Sequence, residues 1–190
     1  MKNSEFIRTK VPITKEEVRA ISLQKLDLAR KKYLLDIGTG SGSISVEAGL
    51  NYPDLRILAV DKNPDAISLT RANIEKFGLE NISLIGADLP NESHKLDGCS
   101  PSKFDSVFVG GASARIEDLV LWLRGRIEDG GTLVGNFILI ESMTRYIESI
   151  KEAGFDDIEV IQVSVSRMEK LGSGNYFKPN NPIFVVTAKR

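Results

Sequence analysis

Residues Leu35 to Ser45 read LDIGTGSGSIS, an aspartate followed two, four and six positions later by glycine. Glycines at 38, 40 and 42 let a ligand approach the backbone closely, and a helix starting just beyond them offers it free N–H groups. The spacing separates the ligands that such a turn can hold. A pyrophosphate fingerprint needs glycine at the first, third and sixth positions, and the sixth here is Ser43. The turn also lacks the lysine of a P-loop. Asp61 ends the next apolar run, where an acid can hold a ribose diol through two hydrogen bonds. Gly86-Ala87-Asp88 ends the third run in the same way, with small residues and an acid. A nucleoside-type ligand without a pyrophosphate fits all three run ends. The competing reading is a tight turn, with Asp61 capping the helix that follows.

The fourth run, FDSVFVGGASAR (Phe104 to Arg115), empties into Gly110 and Gly111 and then into small residues, among them Ser113. A tip with no acid, base or nucleophile offers no side chain for chemistry, and a simple strand-to-helix turn is the competing reading. The tip also lacks the Asn/Asp-Pro-Pro-aromatic motif of enzymes that methylate amide or exocyclic amino nitrogens. His94 and Cys99 are lone loop residues, so neither a metal site nor a general base is expected.

Five short runs must position these residues: Tyr33 to Ile37, Arg56 to Asp61, Ile82 to Asp88, Ser106 to Gly110 and Thr132 to Leu139. Rich in Val, Ile and Leu and bounded by Gly, Asp or Asn, they read as strands buried on both faces of a parallel sheet. Helices lie between them. Thr14 and Glu17 form a capping-box pattern before a first helix, and Asn63-Pro64 starts another that stops at Gly78. Ile116, Leu119, Val120, Leu123 and Ile127 make one apolar stripe, and Met143, Tyr146, Ile147 and Ile150 a second. Ile158 to Met168 alternates as a strand, a glycine-containing loop follows, and Asn181 to Arg190 returns antiparallel. The expected architecture is α/β, Rossmann-like and doubly wound, with a mainly parallel seven-stranded sheet closed by a C-terminal antiparallel hairpin.

A chain of 190 residues is expected to form one domain over residues 1–190. The formal net charge of −1 gives no general field for nucleic acid, so no nucleic-acid partner is expected. No apolar leader and no membrane-length run are present in the sequence, which predicts a cytoplasmic chain with no membrane contact.

Asp36 with Gly38, Gly40 and Gly42 resembles the first motif of class I S-adenosylmethionine methyltransferases. Six stretches together carry a narrower likeness: FIRTKVPITKEEVRA, LDIGTGSGSIS, DKNPDAI, VFVGGASA, GNFILIES and NPIFVVTAK. Through them nearly the whole chain resembles the methyltransferase/decarboxylase family of the cobalamin pathway. The resemblance implies S-adenosylmethionine as cofactor and a corrinoid (cobalt-precorrin) substrate. The reaction it implies is methylation at C-15 of the ring with loss of carbon dioxide from the C-12 acetate. Carried over residue by residue, it implies cofactor contacts from Thr14, Asp36, Gly38, Thr39, Gly40, Ser41, Gly42, Asp61, Ala87 and Asp88. The substrate side would be Gly110, Gly111, Ser113, Arg115 and Arg8, with Lys10, Arg145, Arg167 and Lys178 as further cations for carboxylates. Asn136 and Glu141 stand beyond the fifth run and are candidates for facing the pocket. The likeness also implies a homo-oligomer, a tetramer. The C-terminal strands and the loop between them are the candidate surface, because an antiparallel hairpin at a sheet edge can pair or pack with a neighbour. A class I RNA or protein methyltransferase and a non-catalytic cofactor-binding subunit are the alternatives.

Overall fold

The computed structural model describes residues 1–98, 101–111 and 115–190. Nine strands and five α-helices follow one another along these residues. β1 (Tyr33–Ile37) and β2 (Arg56–Asp61) keep the bounds of their apolar runs. β3 (Ile82–Gly86) stops two residues early, so Ala87 and Asp88 belong to the loop. β4 is Phe104–Gly110 and β5 is Ile127–Phe137. The order β3-β2-β1-β4-β5-β9-β6 makes one seven-stranded sheet, where β9 is Ile183–Lys189 and β6 is Asp156–Val163. β1 to β5 pair in parallel, and β9 enters antiparallel between β5 and β6. All five parallel strands therefore deliver their carboxyl ends to one edge.

Alternate strand residues face opposite sides of the sheet, and two cores result. On one side Leu35, Ile37, Val107, Val109 and Leu133 pack under α4 (Ile116–Arg124) and α5 (Ile140–Glu152). On the other, Leu34, Ile57, Phe108 and Val134 pack under α1 (Glu16–Leu26) and α2 (Ser43–Asn51). α3 (Pro64–Lys76) starts as its sequence requires, with the Asn63 side chain accepting from the Asp65 N–H at 2.9 Å and proline in the first turn.

Four expectations need correction. The capping box at Thr14 does not form: Lys15 is the N-cap of α1, with no side-chain cap, and Arg19 donates instead to the Thr14 carbonyl at 2.8 Å. Ile127 shares the period of the α4 stripe but starts β5, because the helix ends at Arg124 and Gly125 turns the chain. Ile158 to Met168 is two strands. β6 joins the main sheet, whereas β7 (Ser166–Leu171) pairs with β8 (Gly174–Pro179) in a separate exposed hairpin. Ile138 and Leu139, read as strand, lie beyond the end of β5 and are exposed.

Candidate functional site at the carboxyl edge

The turn after β1 is fixed from three directions. Gly38 and Thr39 donate their N–H groups to the Val60 carbonyl at 2.8 and 3.2 Å, and the Gly40 N–H donates to Asp61 Oδ2 at 2.9 Å. From α3, Thr70 Oγ1 donates to the Gly40 carbonyl and Asn73 Nδ2 to the Ser41 carbonyl, both at 2.9 Å. Gly38, Gly40 and Gly42 all hold left-handed φ values of 59° to 75°. Gly38 is needed for a second reason. A Cβ there would collide with the Gly110 carbonyl, and a Cβ on Gly110 would lie 2.7 Å from the Gly38 carbonyl. The ends of β1 and β4 thus meet backbone to backbone.

Asp36 is fully buried beneath this turn. Its Oδ2 accepts from Thr39 Oγ1 at 2.7 Å and Ser45 Oγ at 2.5 Å, while Oδ1 has no partner among the described residues. Burial pushes its pKa up to about 6, against the two hydroxyl donors that favour the charged form. Ser41 Oγ is a second buried polar atom without a partner among the described residues. Buried polar atoms are ordinarily paired, so two orphans in one turn point to a group that the turn is shaped to hold.

Asp61 ends β2 on the same edge. Its Oδ1 accepts from the Asn63 N–H and its Oδ2 from Gly40, both at 2.9 Å, which aims the carboxylate and leaves each oxygen a further lone pair. Ala87 is buried beside it, its N–H on the Asp61 carbonyl at 2.9 Å. Asp88 lies a residue further out, 3.4 Å from the Lys62 ammonium.

The N-terminal segment crosses the turn. Asn73 clamps Ile7 by accepting its N–H at 2.8 Å and donating to its carbonyl at 3.2 Å. The Pro12 carbonyl comes within 3.5 Å of where a Gly40 Cβ would stand. Thr14 follows, half-buried, with no hydrogen bond to its hydroxyl among the described residues. The fully buried Arg19 secures the far end of this strap through Glu47 at 2.5 Å, Asn3 Oδ1 at 2.7 Å and Thr14 O at 2.8 Å. Sequence reasoning missed Asn73, Thr70, Arg19 and Glu47. The available signal was the apolar pair Phe6-Ile7 in an otherwise polar N-terminus, which must have something to pack against.

The substrate-side candidates divide. Gly111 has φ 86°, and among the described residues nothing lies within 4 Å of where its side chain would go. Ser113 lies outside the described residues, as do Ala112, Ala114 and Cys99. Arg115 bonds Asp118 at 2.7 Å and Asn91 at 2.5 Å. Arg145 pairs with Glu117, whose carboxyl it holds below the usual range, and Lys178 pairs with Glu169. Arg167 pairs with Glu16 and Glu17. Glu16 is held low first by the Asn3 N–H and then by that guanidinium. Arg8 and Lys10, on the strap, are exposed and form no ion pair among the described residues. Asn136 exchanges hydrogen bonds with Ser22 on α1 at 2.9 and 3.2 Å, and Glu141 is exposed in the first turn of α5. No cluster of His, Cys, Asp or Glu suited to a metal occurs among the described residues. A cavity of about 620 Å³ lies at the opposite edge, between Asp54, Arg56, Glu80, Asn81 and Phe104, away from every group above.

A family model described as Precorrin methyltransferase domain matches residues 5–190. The Cobalt-precorrin-6B C(15)-methyltransferase (decarboxylating) of Salmonella typhimurium is 37% identical over 191 residues, covering 100% of this chain and 96% of the relative. The crystal structure of Precorrin-6y C5,15-methyltransferase from Geobacter metallireducens superposes with TM-score 0.89 at 32% identity, covering 100% of this chain and 97% of the other. A SAM-dependent O-methyltransferase from Thermotoga maritima shares the fold alone, with TM-score 0.76 at 16% identity over 96% of this chain and 67% of its own.

Proposed function

Because the chain belongs to the precorrin methyltransferase family, we propose that it methylates C-15 of a cobalt-precorrin-6B type ring and removes carbon dioxide from the acetate on C-12, as one domain spanning residues 1–190. Kinship over the full chain carries this reading, in a chain that has Asp36, the glycine turn, Asp61 and Ala87 on one edge. S-adenosylmethionine, when bound, supplies an electrophilic methyl on a sulfonium. The residues present fit it. Asp36 Oδ1 and Ser41 Oγ, without partners among the described residues, are acceptors for a cationic ligand, Asp61 has lone pairs for a diol, and Ala87 offers an apolar wall. Thr14, Gly38, Thr39, Gly40, Gly42 and Asp88 complete the proposed contact set.

What remains for the chain is orientation and the exclusion of water. A conjugated macrocycle carries its own nucleophilic carbon, so no enzyme base has to create one. When the ring acetate loses carbon dioxide, its electron pair enters the same conjugated system, and the ring acts as the electron sink. Gly110 lets β4 close onto the glycine turn, Gly111 keeps the approach to the reacting carbon low, and Arg8 and Arg115 are the proposed holders of ring carboxylates. Mass spectrometry of the purified protein with S-adenosylmethionine and cobalt-precorrin-6B should show one methyl gained for each carbon dioxide lost. Binding of the cofactor with an unchanged ring would overturn the reading.

The β7–β8 hairpin exposes Met168, Leu171 and Phe177, which supports a homotetramer assembled through it. A monomer mass in light scattering would reject that assembly. No helix among the described residues is long and apolar enough to cross a membrane, and a cytoplasmic location is part of the same proposal.

A further inference from the structure

Ile138, Leu139 and Ile140 follow the carboxyl end of β5 and are 58%, 60% and 60% exposed. Two local rules are broken there at once. Three consecutive large apolar side chains face solvent. Leu139 also stands at the N-cap of α5 without a side-chain hydrogen bond, where Ser, Asp or Asn would stabilise the helix by about 1 kcal/mol. Local choices that cost stability twice over mark a functional constraint. The position says which one.

β5 pairs with β4 in parallel so that Asn136 lies opposite Gly110. The three residues therefore stand just beyond the glycine tip. β4 lies between β1 and β5, so their ends are two strand spacings, ~10 Å, apart. On the β1 side, Arg8 and Lys10 occupy the strap between its contacts at Ile7 and Pro12, and neither has an ionic partner among the described residues. The edge thus has a glycine floor, one rim of cations that form no ion pair among the described residues, and an opposite rim of exposed aliphatic side chains. A flat conjugated ring with carboxylates around it matches all three, and a bilayer or a peptide has no need of the glycine floor.

Resting on the function proposed above, we infer that Ile138, Leu139 and Ile140 are the apolar subsite against which the corrinoid ring packs, opposite the carboxylate-binding strap. Serine at all three positions removes the apolar contact and restores a capping residue to α5. The variant should raise KM for cobalt-precorrin-6B about tenfold, leave S-adenosylmethionine affinity unchanged, and melt at the same temperature as wild type or higher. A merely structural role cannot give a weaker substrate complex in a more stable protein. Leu121→Ser, on the outer face of α4, is the matched control for loss of an exposed leucine. An unchanged KM overturns the inference, and so does an unchanged KM with altered mass in light scattering, which would assign the patch to a subunit contact. Wild type run alongside separates the two failures. If it turns the ring over while the variant matches it, only the subsite falls; if wild type leaves the ring unchanged, both readings fall.

Discussion

The two halves of the carboxyl edge are built to opposite standards. At the ends of β1 and β2, backbone carbonyls, Thr70, Asn73 and Asp61 fix the turn from several sides, and Asp36 is fully buried below it. At the ends of β4 and β5, no described residue comes within 4 Å of a Gly111 side-chain position, and Ile138 to Ile140 face solvent. The first half is a cross-braced, pre-formed turn, and the second is an exposed tip beside an apolar rim. Gly110 and Gly111 mark the border, adjacent in sequence and opposite in surroundings.

The widest separation should come from those two glycines. Gly110→Ala drives a Cβ to 2.7 Å from the Gly38 carbonyl, and neither backbone can yield cheaply. Calorimetry and thermal melts should show S-adenosylmethionine binding lost together with several degrees of stability. Full cofactor affinity in that variant would dissolve the border.

Next is Asp36. Its folded pKa of about 6 lies above the usual 3.8, a rise worth ~3 kcal/mol. The folded state therefore binds the proton more tightly, and this contribution is complete below pH 3.8 and lost as pH climbs through about 6. Ligand-free wild type should lose stability across that window, and Asp36→Asn should flatten the slope. Affinity for the cationic cofactor should rise over the same window in wild type alone. A pH-independent wild type would contradict the burial assigned to this carboxylate.

Gly111→Leu is expected to act more narrowly. Left-handed φ costs an L-residue ~1 kcal/mol, while the added bulk occupies the open approach. Corrinoid KM should rise well beyond any change in cofactor affinity, and equal losses would make this residue part of the turn. The smallest effect belongs to a site outside both halves. The Tyr146 hydroxyl is buried with no partner among the described residues, and burial pushes its pKa upward. Tyr146→Phe should leave activity unchanged and stability equal or higher by up to ~1 kcal/mol. A clear loss in the melt would show that the hydroxyl has a partner after all.

What could be read from the sequence follows how local each feature is. β1 and β2 were legible to the residue because Gly and Asp end their apolar runs sharply. The glycine turn was legible because its spacing lies within seven residues. The alternation through Ile158 to Met168 tells faces apart but not sheets, so the break between β6 and β7 was hidden. The Thr14 cap does not form: the N-cap falls one residue later, at Lys15, and the Thr14 carbonyl accepts from Arg19, a contact that helix-start patterns do not encode. Asn73 reaches Ile7 across 66 positions, and nothing in either segment announces the other. Ile138 and Leu139 misled in the opposite sense. Their apolarity reads as burial in a strand, when they are better explained by what they offer a ligand.

The facing glycines at 38 and 110 also limit how this chain can be repaired. In most packed pairs a bulky substitution on one side can be relieved by a smaller residue on the other. Here each missing Cβ faces the other residue's carbonyl, which every amino acid carries. No second-site suppressor of Gly110→Ala can therefore arise at position 38, nor the reverse. Rescue would have to shift a whole strand, so drift at this contact is closed from both sides.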